Sequence, residues 1–226
     1  MIVAADDLLD WVADREALLI AAWTPAIERA AGWERPFAEV LASELQNTMV
    51  TTWLNGGSER DFSRIVARSN TGLPAHVEKG IAGRFYDVTL KLARAAARHV
   101  RDHRSTIMAY KYGMVVGDGR TNPSHLTLQQ VFLPKTHPFW LRFQPPFGMD
   151  CRCGTNLMTQ SQFARSGRTI TSDTDLAWIE AQLHDDWPSD FLPLLDFRKP
   201  LPIAIDAEPK VHLTAEQLAG ILAAFR

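Results

Sequence analysis

The two cysteines of the chain, Cys151 and Cys153, lie one residue apart in the loop PPFGMDCRCG. Closely spaced thiolates are zinc ligands, and His125 and His137 could fill the remaining positions of a tetrahedral site. The spacing differs from the C-x2-C of common zinc ribbons, although alternate residues of an extended segment do point to one face. Burial of two small thiols fits the sequence better, and a disulfide between them would close a strained ring. We therefore predict a structural role and no cofactor, with zinc as the alternative.

A second group that could do chemistry is the polar turn GDGRTNPSH, which contains Asp118, Arg120 and His125. His125 could act as a general base beside Asp118, with Arg120 holding an anion. No nucleophile accompanies them, and polar residues in turns rich in Gly and Pro usually hydrogen-bond their own backbone. P-loop, G-x-G-x-x-G, G-x-S-x-G and HExxH strings are all absent from the sequence. We expect no enzymatic activity, and the alternative is an enzyme acting on nucleic acid or nucleotides through this cluster.

A third candidate is a basic stripe on the longest predicted helix. Its cations recur every three or four residues, which places them along one flank where they could follow DNA phosphates. A solvated helix face is the common explanation for such a stripe, and the whole chain has a formal charge of −2. DNA contact is therefore a local hypothesis, and a DNA-binding accessory protein is a further alternative. The stripe consists of Lys91, Arg94, Arg98, Arg101 and Arg104.

Composition limits the class of protein. The chain has 226 residues and 46% hydrophobic residues, enough for a packed core. The N-terminus lacks a basic region and a cleavage site, and the apolar runs are shorter than the roughly 20 residues that span a bilayer. Two cysteines without a secretory signal favour a reducing compartment. We expect no membrane partner.

Hydrophobic periodicity predicts helices over most of the first hundred residues. Gly32 and Asn55 are stop signals, and Ser58 with Asp61 resembles a capping box. The longest predicted helix has apolar residues on one stripe and cations on another. The predicted helices run from Leu8 to Trp23, from Pro25 to Ala30, from Pro36 to about Leu54, from Ser58 to Val66, and from Pro74 to about Arg104.

After residue 104 the period changes. Residues 108–119 alternate and end in Gly-Asp-Gly, which predicts a strand and a turn. Residues 123–154 contain many prolines and aromatics, which predicts loops that pack against the preceding helices. Two short helices are predicted near 159–165 and 173–184, and a proline-rich arm then precedes a terminal helix at 215–225. The predicted fold class is α+β, with a mainly helical N-terminal part, a small loop-rich β element in the C-terminal half and an extended Pro-rich arm.

Taken as one unit, residues 110–159 resemble the C-terminal signature of the phage Mu gpF-like family, also called the phage head morphogenesis or minor capsid domain. The family pattern is an aromatic strand, D-x-R-T-R-P-x-H, an h-P-F-W element and P-P-x-G-x-x-C-R-C. The sequence departs from it at Asn122, Gln130 and Asp150, and the loss of an arginine at 122 weakens the case for an anion site. The matching residues are Asp118, Arg120, Thr121, Pro123, His125, His137, Pro138, Phe139, Trp140, Pro145, Pro146, Gly148, Cys151, Arg152 and Cys153.

The resemblance implies a minor head protein of a tailed phage or phage-like particle. Its expected partners are the portal protein or the major capsid protein, with packaged double-stranded DNA and a second copy of the chain as further candidates. The expected location is the phage head near the portal vertex, after assembly in the host cytoplasm. The implied division is an N-terminal helical region at 1–47, a head morphogenesis domain at 48–158 and a C-terminal extension at 159–226. The Cys-x-Cys is expected to close a compact corner, with Arg152 holding loop carbonyls or Asp118.

Overall fold

The computed structural model describes residues 5–69, 71–187, 191, 192 and 194. Within them, helices dominate the N-terminal part and a small sheet lies in the C-terminal half, so the predicted α+β class is confirmed. The terminal helix and most of the arm predicted from sequence lie outside the described residues. The helices are α1 (Ala5–Asp14), α2 (Glu16–Ala31), α3 (Arg35–Leu54), α4 (Glu59–Val66), α5 (Ala75–Arg104), α6 (Phe139–Arg142), α7 (Gln160–Ser166) and α8 (Asp173–Gln182).

The first five helices pack around one hydrophobic core. Rings of three helices meet there: Trp23 lies 4.9 Å from Phe85, and Phe62 stacks on Phe85 at 6.3 Å. Phe191, at the start of the predicted arm, also enters this core, 5.2 Å from Trp23 and 1% exposed. The first part of the arm is therefore anchored on the helices of its own chain.

Several helix ends follow the local signals. Ser58 and Asp61 form the predicted capping box at the start of α4, and Gly32 ends α2 in the left-handed conformation. Two predictions for the first helices were wrong. The helix is interrupted at Arg15, between α1 and α2, and Pro25 lies inside α2. Tertiary packing accounts for Pro25, because buried side chains of α2 on both sides of it face one core and hold the helix together.

The sheet is antiparallel with the order β2–β1–β3, where β1 is Met108–Met114, β2 is Phe132–Pro134 and β3 is Gly154–Thr159. A 3-10 helix, Pro123–Gln130, crosses β1 closely. A Cβ atom at Gly113 would lie 2.1 Å from the Leu128 carbonyl oxygen, so this crossing requires glycine. The predicted strand is confirmed, whereas α6 and the 3-10 helix were predicted as loops.

The aromatic residues of the loop-rich segment form a second core. They were expected to pack against the preceding helices, but this core instead includes α8, which contributes Leu176 and Ile179. Helix α8 begins after Ser172, whose side chain accepts a hydrogen bond from the Asp175 backbone amide as an N-cap. The other buried members are Leu128, Val131, Leu133, Phe139, Trp140 and Phe147.

A buried ion pair joins the helical layer to the sheet. Lys111 of β1 lies 2.8 Å from the Asp102 carboxylate at the end of α5, with side-chain exposures of 0% and 4%. Burial lowers the pKa of Lys111, and the Asp102 charge opposes this shift. Lys135, just after β2, donates to the carbonyls of Asp102, His103 and Ser105, which the end of a helix leaves without partners.

The predicted domain boundaries stay predictions. Helix α3 spans residues 47 and 48, and β3 spans residues 158 and 159. Across the described ranges, no helix is long and apolar enough to cross a bilayer.

We expect Asp102→Ala to reduce the free energy of unfolding by about 3–5 kcal/mol, because it leaves the buried Lys111 ammonium without a counter-charge. The double variant Lys111→Met with Asp102→Leu should recover most of this loss. Asp87→Ala on the same helix is the control, since the pair of the exposed Asp87 with the half-buried Lys91 is expected to contribute about 1 kcal/mol or less. Urea unfolding measures all three, and equal losses for Asp102→Ala and Asp87→Ala would contradict the assignment.

Candidate functional site

A cleft of about 240 Å³ lies where the Cys-Arg-Cys loop meets α5 and the polar turn. Arg84 of α5 forms one wall, and Asp186, which follows α8, forms another. The remaining lining comes from residues 120–125 and 148–153, which belong to the family-like motif. The cleft therefore brings together segments that are about a hundred residues apart in sequence.

The loop 145–148 is held tightly against the segment that follows α8. The Asp186 amide donates to the Phe147 carbonyl at 2.6 Å, and the Trp187 indole donates to the Pro146 carbonyl at 3.1 Å. A Cβ atom on Gly148 would lie 2.7 Å from the Asp186 Cβ, so the close approach explains the motif glycine. The peptide bond between Pro145 and Pro146 is cis.

Arg152, which lines the cleft, forms a bidentate ion pair with Asp118. The guanidinium donates to both carboxylate oxygens, at 2.8 and 2.5 Å, and the Arg120 amide donates to the same carboxylate at 3.0 Å. The hydrogen bond from Arg152, then that from Arg120, holds the pKa of Asp118 well below its usual value. The prediction that Arg152 holds Asp118 is confirmed. The Arg120 side chain is 80% exposed.

His125 is buried and has a defined partner on each ring nitrogen. Its Nε2 atom lies 3.3 Å from the His184 carbonyl oxygen and 3.6 Å from the Asp186 carboxylate, while Nδ1 lies 3.9 Å from the Cys151 sulfur. The ring packs on Phe147 at 4.9 Å. The structure thus pairs His125 with Asp186, whereas the alternative enzyme hypothesis paired it with Asp118, whose two carboxylate oxygens bind Arg152.

Cys151 and Cys153 are half-buried free thiols that pack against the second core. A hydrogen bond from Cys153, assisted by His125, lowers the pKa of Cys151 to about 4, and the same bond raises the pKa of Cys153. Burial is the largest single influence and lowers the pKa of His125, but the contacts with Cys151, the His184 carbonyl and Asp186 together outweigh burial and raise the pKa. The ligand atoms of His125, Cys151 and Cys153 all lie within 4.8 Å of one another. His137, the fourth zinc candidate, lies outside this group and accepts a hydrogen bond from the Phe139 amide.

The other motif residues support the walls of the site. Pro123 opens the 3-10 helix that carries His125, and Pro138 precedes α6. Phe139 and Trp140 are buried in the second core, and Lys111 lies 5.4 Å from the Trp140 ring centre. These contacts are structural, because they fix loops that have little regular hydrogen bonding of their own.

The basic stripe of α5 faces the loop-rich half more than sequence suggested. Lys91 donates to the Met149 carbonyl at 2.9 Å and pairs with Asp87 at 2.7 Å, and Arg98 donates to the Thr155 carbonyl at 3.2 Å. Arg94 and Arg104 are exposed, and Arg101 is half-buried. Contact with DNA stays a prediction, and of these five cations Lys91 and Arg98 also hold the Cys-Arg-Cys loop and β3 on α5.

Sequence reasoning missed Asp186, Lys111 and Asp102. A lysine inside the apolar strand MAYKYGM was a usable signal, because a charge buried in a sheet requires a partner. Asp186 gave no such signal, since it lies 61 positions after His125 and meets it through the fold.

Comparison with known proteins gives one relative with a described role. Over 88 residues, or 38% of the chain, the sequence is 28% identical to "Putative capsid assembly protein F" of Escherichia phage Mu. The match covers 20% of that protein, so the chain matches about a fifth of its length. No family model and no solved structure matches the chain.

The Asp118–Arg152 pair predicts a pH-dependent stability. Because the native pKa of Asp118 lies below its ordinary value of 3.8, the pair stabilises the fold fully at neutral pH, and the stabilisation is lost as the pH falls through 3.8 and below. Asp118→Asn should therefore have a lower urea midpoint than the wild type at pH 7, with the difference shrinking in acid. Asp150→Asn, at an exposed position of the same cleft, is the control. A difference that stays constant with pH would contradict the prediction.

Proposed function

We propose that this chain is a minor head component of a tailed phage or phage-like particle, acting in head assembly through contact with the portal or the shell. The observation that carries the proposal is the similarity to the phage Mu protein named for capsid assembly. The match at the motif residues between 118 and 153 adds support, because they agree in order and spacing with a head morphogenesis pattern.

The contacts of the motif residues favour an assembly role. Asp118 binds Arg152, Gly148 permits the close approach of Asp186, and Trp140 packs beside Lys111. Side chains used in this way fix the shape of a loop-rich surface. A protein that must fit into a symmetric particle needs such a surface, because flexible loops lose conformational entropy on binding.

We further propose that the part of the chain after residue 196 contacts the portal or the shell. The anchoring of Trp187, Phe191 and Leu194 in the helical core supports this division, because their side chains are between 1% and 5% exposed and belong to the folded unit. A chain that ends at residue 186 would lose these three residues from its core. A chain that ends at Asp196 keeps them, and is therefore the better test.

The full chain should sediment with procapsids or heads when it is produced together with the portal and shell proteins of its own particle. A chain ending at Asp196 should keep the melting temperature of the full chain but should not sediment with the procapsids or heads. Full-length protein that never enters the particle fraction would contradict the assembly role. Equal incorporation of both chains would contradict the proposed role of the C-terminal segment and leave the assembly role standing.

For DNA packaging or delivery, we propose that Arg94, an exposed cation of the basic stripe, touches DNA phosphates. Each phosphate contact contributes about 0.9 to the slope of log affinity against log salt. Arg94→Ala should therefore reduce this slope by about 1 for double-stranded DNA, whereas the control Arg64→Ala, an exposed arginine paired with Asp61, should leave it unchanged. Filter binding at several salt concentrations measures both slopes. An unaltered slope in Arg94→Ala would contradict the proposed contact of α5 with DNA.

A further inference from the structure

Three side chains able to bind a metal ion converge at the floor of the cleft. Arg152 points away from the loop to Asp118, and its two neighbours, Cys151 and Cys153, place their sulfurs near His125. Alternate residues of an extended segment share one face, so a single intervening residue suffices for both sulfurs to meet one ion. The 3-10 helix supplies the third group from a different part of the chain.

The hydrogen bonding of His125 directs the lone pair of its Nδ1 atom toward the Cys151 sulfur. The His184 carbonyl can only accept, so the Nε2 atom of His125 donates to it and carries the hydrogen. In the neutral ring, the lone pair is then on Nδ1, which is the atom that faces the Cys151 sulfur. Metal-bound histidines commonly donate their second nitrogen to a carbonyl or a carboxylate in this way.

The distances fit a tetrahedral zinc ion. Bonds of about 2.3 Å to sulfur and about 2.0–2.1 Å to nitrogen place a sulfur and a nitrogen ligand about 3.6 Å apart. The Cys151 sulfur and His125 Nδ1 are 3.9 Å apart, and the three ligand atoms lie within 4.8 Å of one another. Shifts of a few tenths of an ångström to about one ångström, within the reach of side-chain rotation, would complete the geometry.

We propose that His125, Cys151 and Cys153 bind one zinc ion, with the fourth position directed to the cleft and taken by water. Thiolate and imidazole ligands in tetrahedral geometry select zinc over magnesium or calcium, which prefer oxygen. This site goes beyond head assembly and does not depend on it. It differs from the prediction made from the sequence, in which Cys151 and Cys153 have a structural role without a metal.

Asp186 is the positioning residue of the proposed site. Its carboxylate lies 3.6 Å from His125 Nε2 and accepts a hydrogen bond from the side-chain amide of Asn122 at 3.0 Å. Its own amide is bonded to the Phe147 carbonyl, so the carboxylate is fixed relative to the cysteine loop. Removing such an outer partner typically weakens metal binding 10- to 100-fold.

The experiment uses the full chain, purified under reducing conditions and measured for metal by elemental analysis. We expect about one zinc per chain, released by a chelator with a fall in melting temperature. Cobalt added to the metal-free protein should produce thiolate-to-cobalt charge-transfer absorption, which zinc should then abolish. Zinc should also protect both thiols of the wild type from a thiol reagent, a measurement that requires no variant.

Substitutions assign the ligands. Cys151→Ser and Cys153→Ser should each remove the charge-transfer band or strongly reduce it, whereas His137→Ala, the matched histidine outside the group, should keep the wild-type spectrum and stoichiometry. Asp186→Asn should bind cobalt with 10- to 100-fold lower affinity and the same spectrum at saturation. Circular dichroism confirms that each variant is folded.

Two results would overturn the proposal. One is a reduced, folded wild-type chain that contains no zinc, binds no added cobalt and shows no zinc-dependent thiol protection. The other is wild-type stoichiometry in a folded Cys151→Ser or Cys153→Ser variant. Both results are independent of the sedimentation assay, so a failed metal site and a failed assembly role are distinguishable.

Discussion

Lys111 lies in the middle of β1 with its side chain fully buried, and the placement of this ammonium group constrains the structure around it. An unpaired charge there would be prohibitively costly, so the carboxylate of Asp102 must be close by. This requirement fixes the last turn of α5 against the central strand of the sheet. The Trp140 ring packs beside the Lys111 ammonium group, and Lys135 donates hydrogen bonds to the carbonyls at the end of α5. The contact between the layers is thus set by charge as well as by apolar packing.

The cleft follows from this arrangement. Once α5 is fixed on β1, its other cations lie beside the loop-rich half, where Lys91 and Arg98 reach the carbonyls of Met149 and Thr155. The Cys-Arg-Cys loop is then held on one side by α5 and on the other by the segment that contains Asp186. A small polar cleft with a defined shape results from loops that could not hold it alone.

The parts of the fold that depend on local physics could be predicted from the sequence. The long α5 has one apolar stripe, α4 has a capping box at Ser58, and β1 alternates before a glycine turn. The break at Arg15 and the passage of α2 through Pro25 could not be predicted, because core packing decides them. The short α6 and the 3-10 helix lack the length that a periodic pattern needs.

The candidate site could be predicted only in part, because a sequence motif gives residues but does not give their contacts. The motif named the residues that converge, and the geometry showed which of them share a contact: Arg152 with Asp118, and His125 with the two cysteines. Asp186 could not be found from spacing, because its approach to His125 depends on the path of the chain after α8. Exclusion of His137 from the group likewise required the fold.

We expect the helical layer and the loop-rich half to form one cooperative unit, because the buried pair of Asp102 and Lys111 joins them. Native-state hydrogen exchange of the full chain tests it most directly, because each amide reports the free energy of the opening that exposes it. We expect the slowest amides of α5 and of β1 to exchange through the same global unfolding, with equal free energies and equal dependence on denaturant. A sheet that exchanges through a separate opening of much lower free energy, while α5 stays protected, would contradict it.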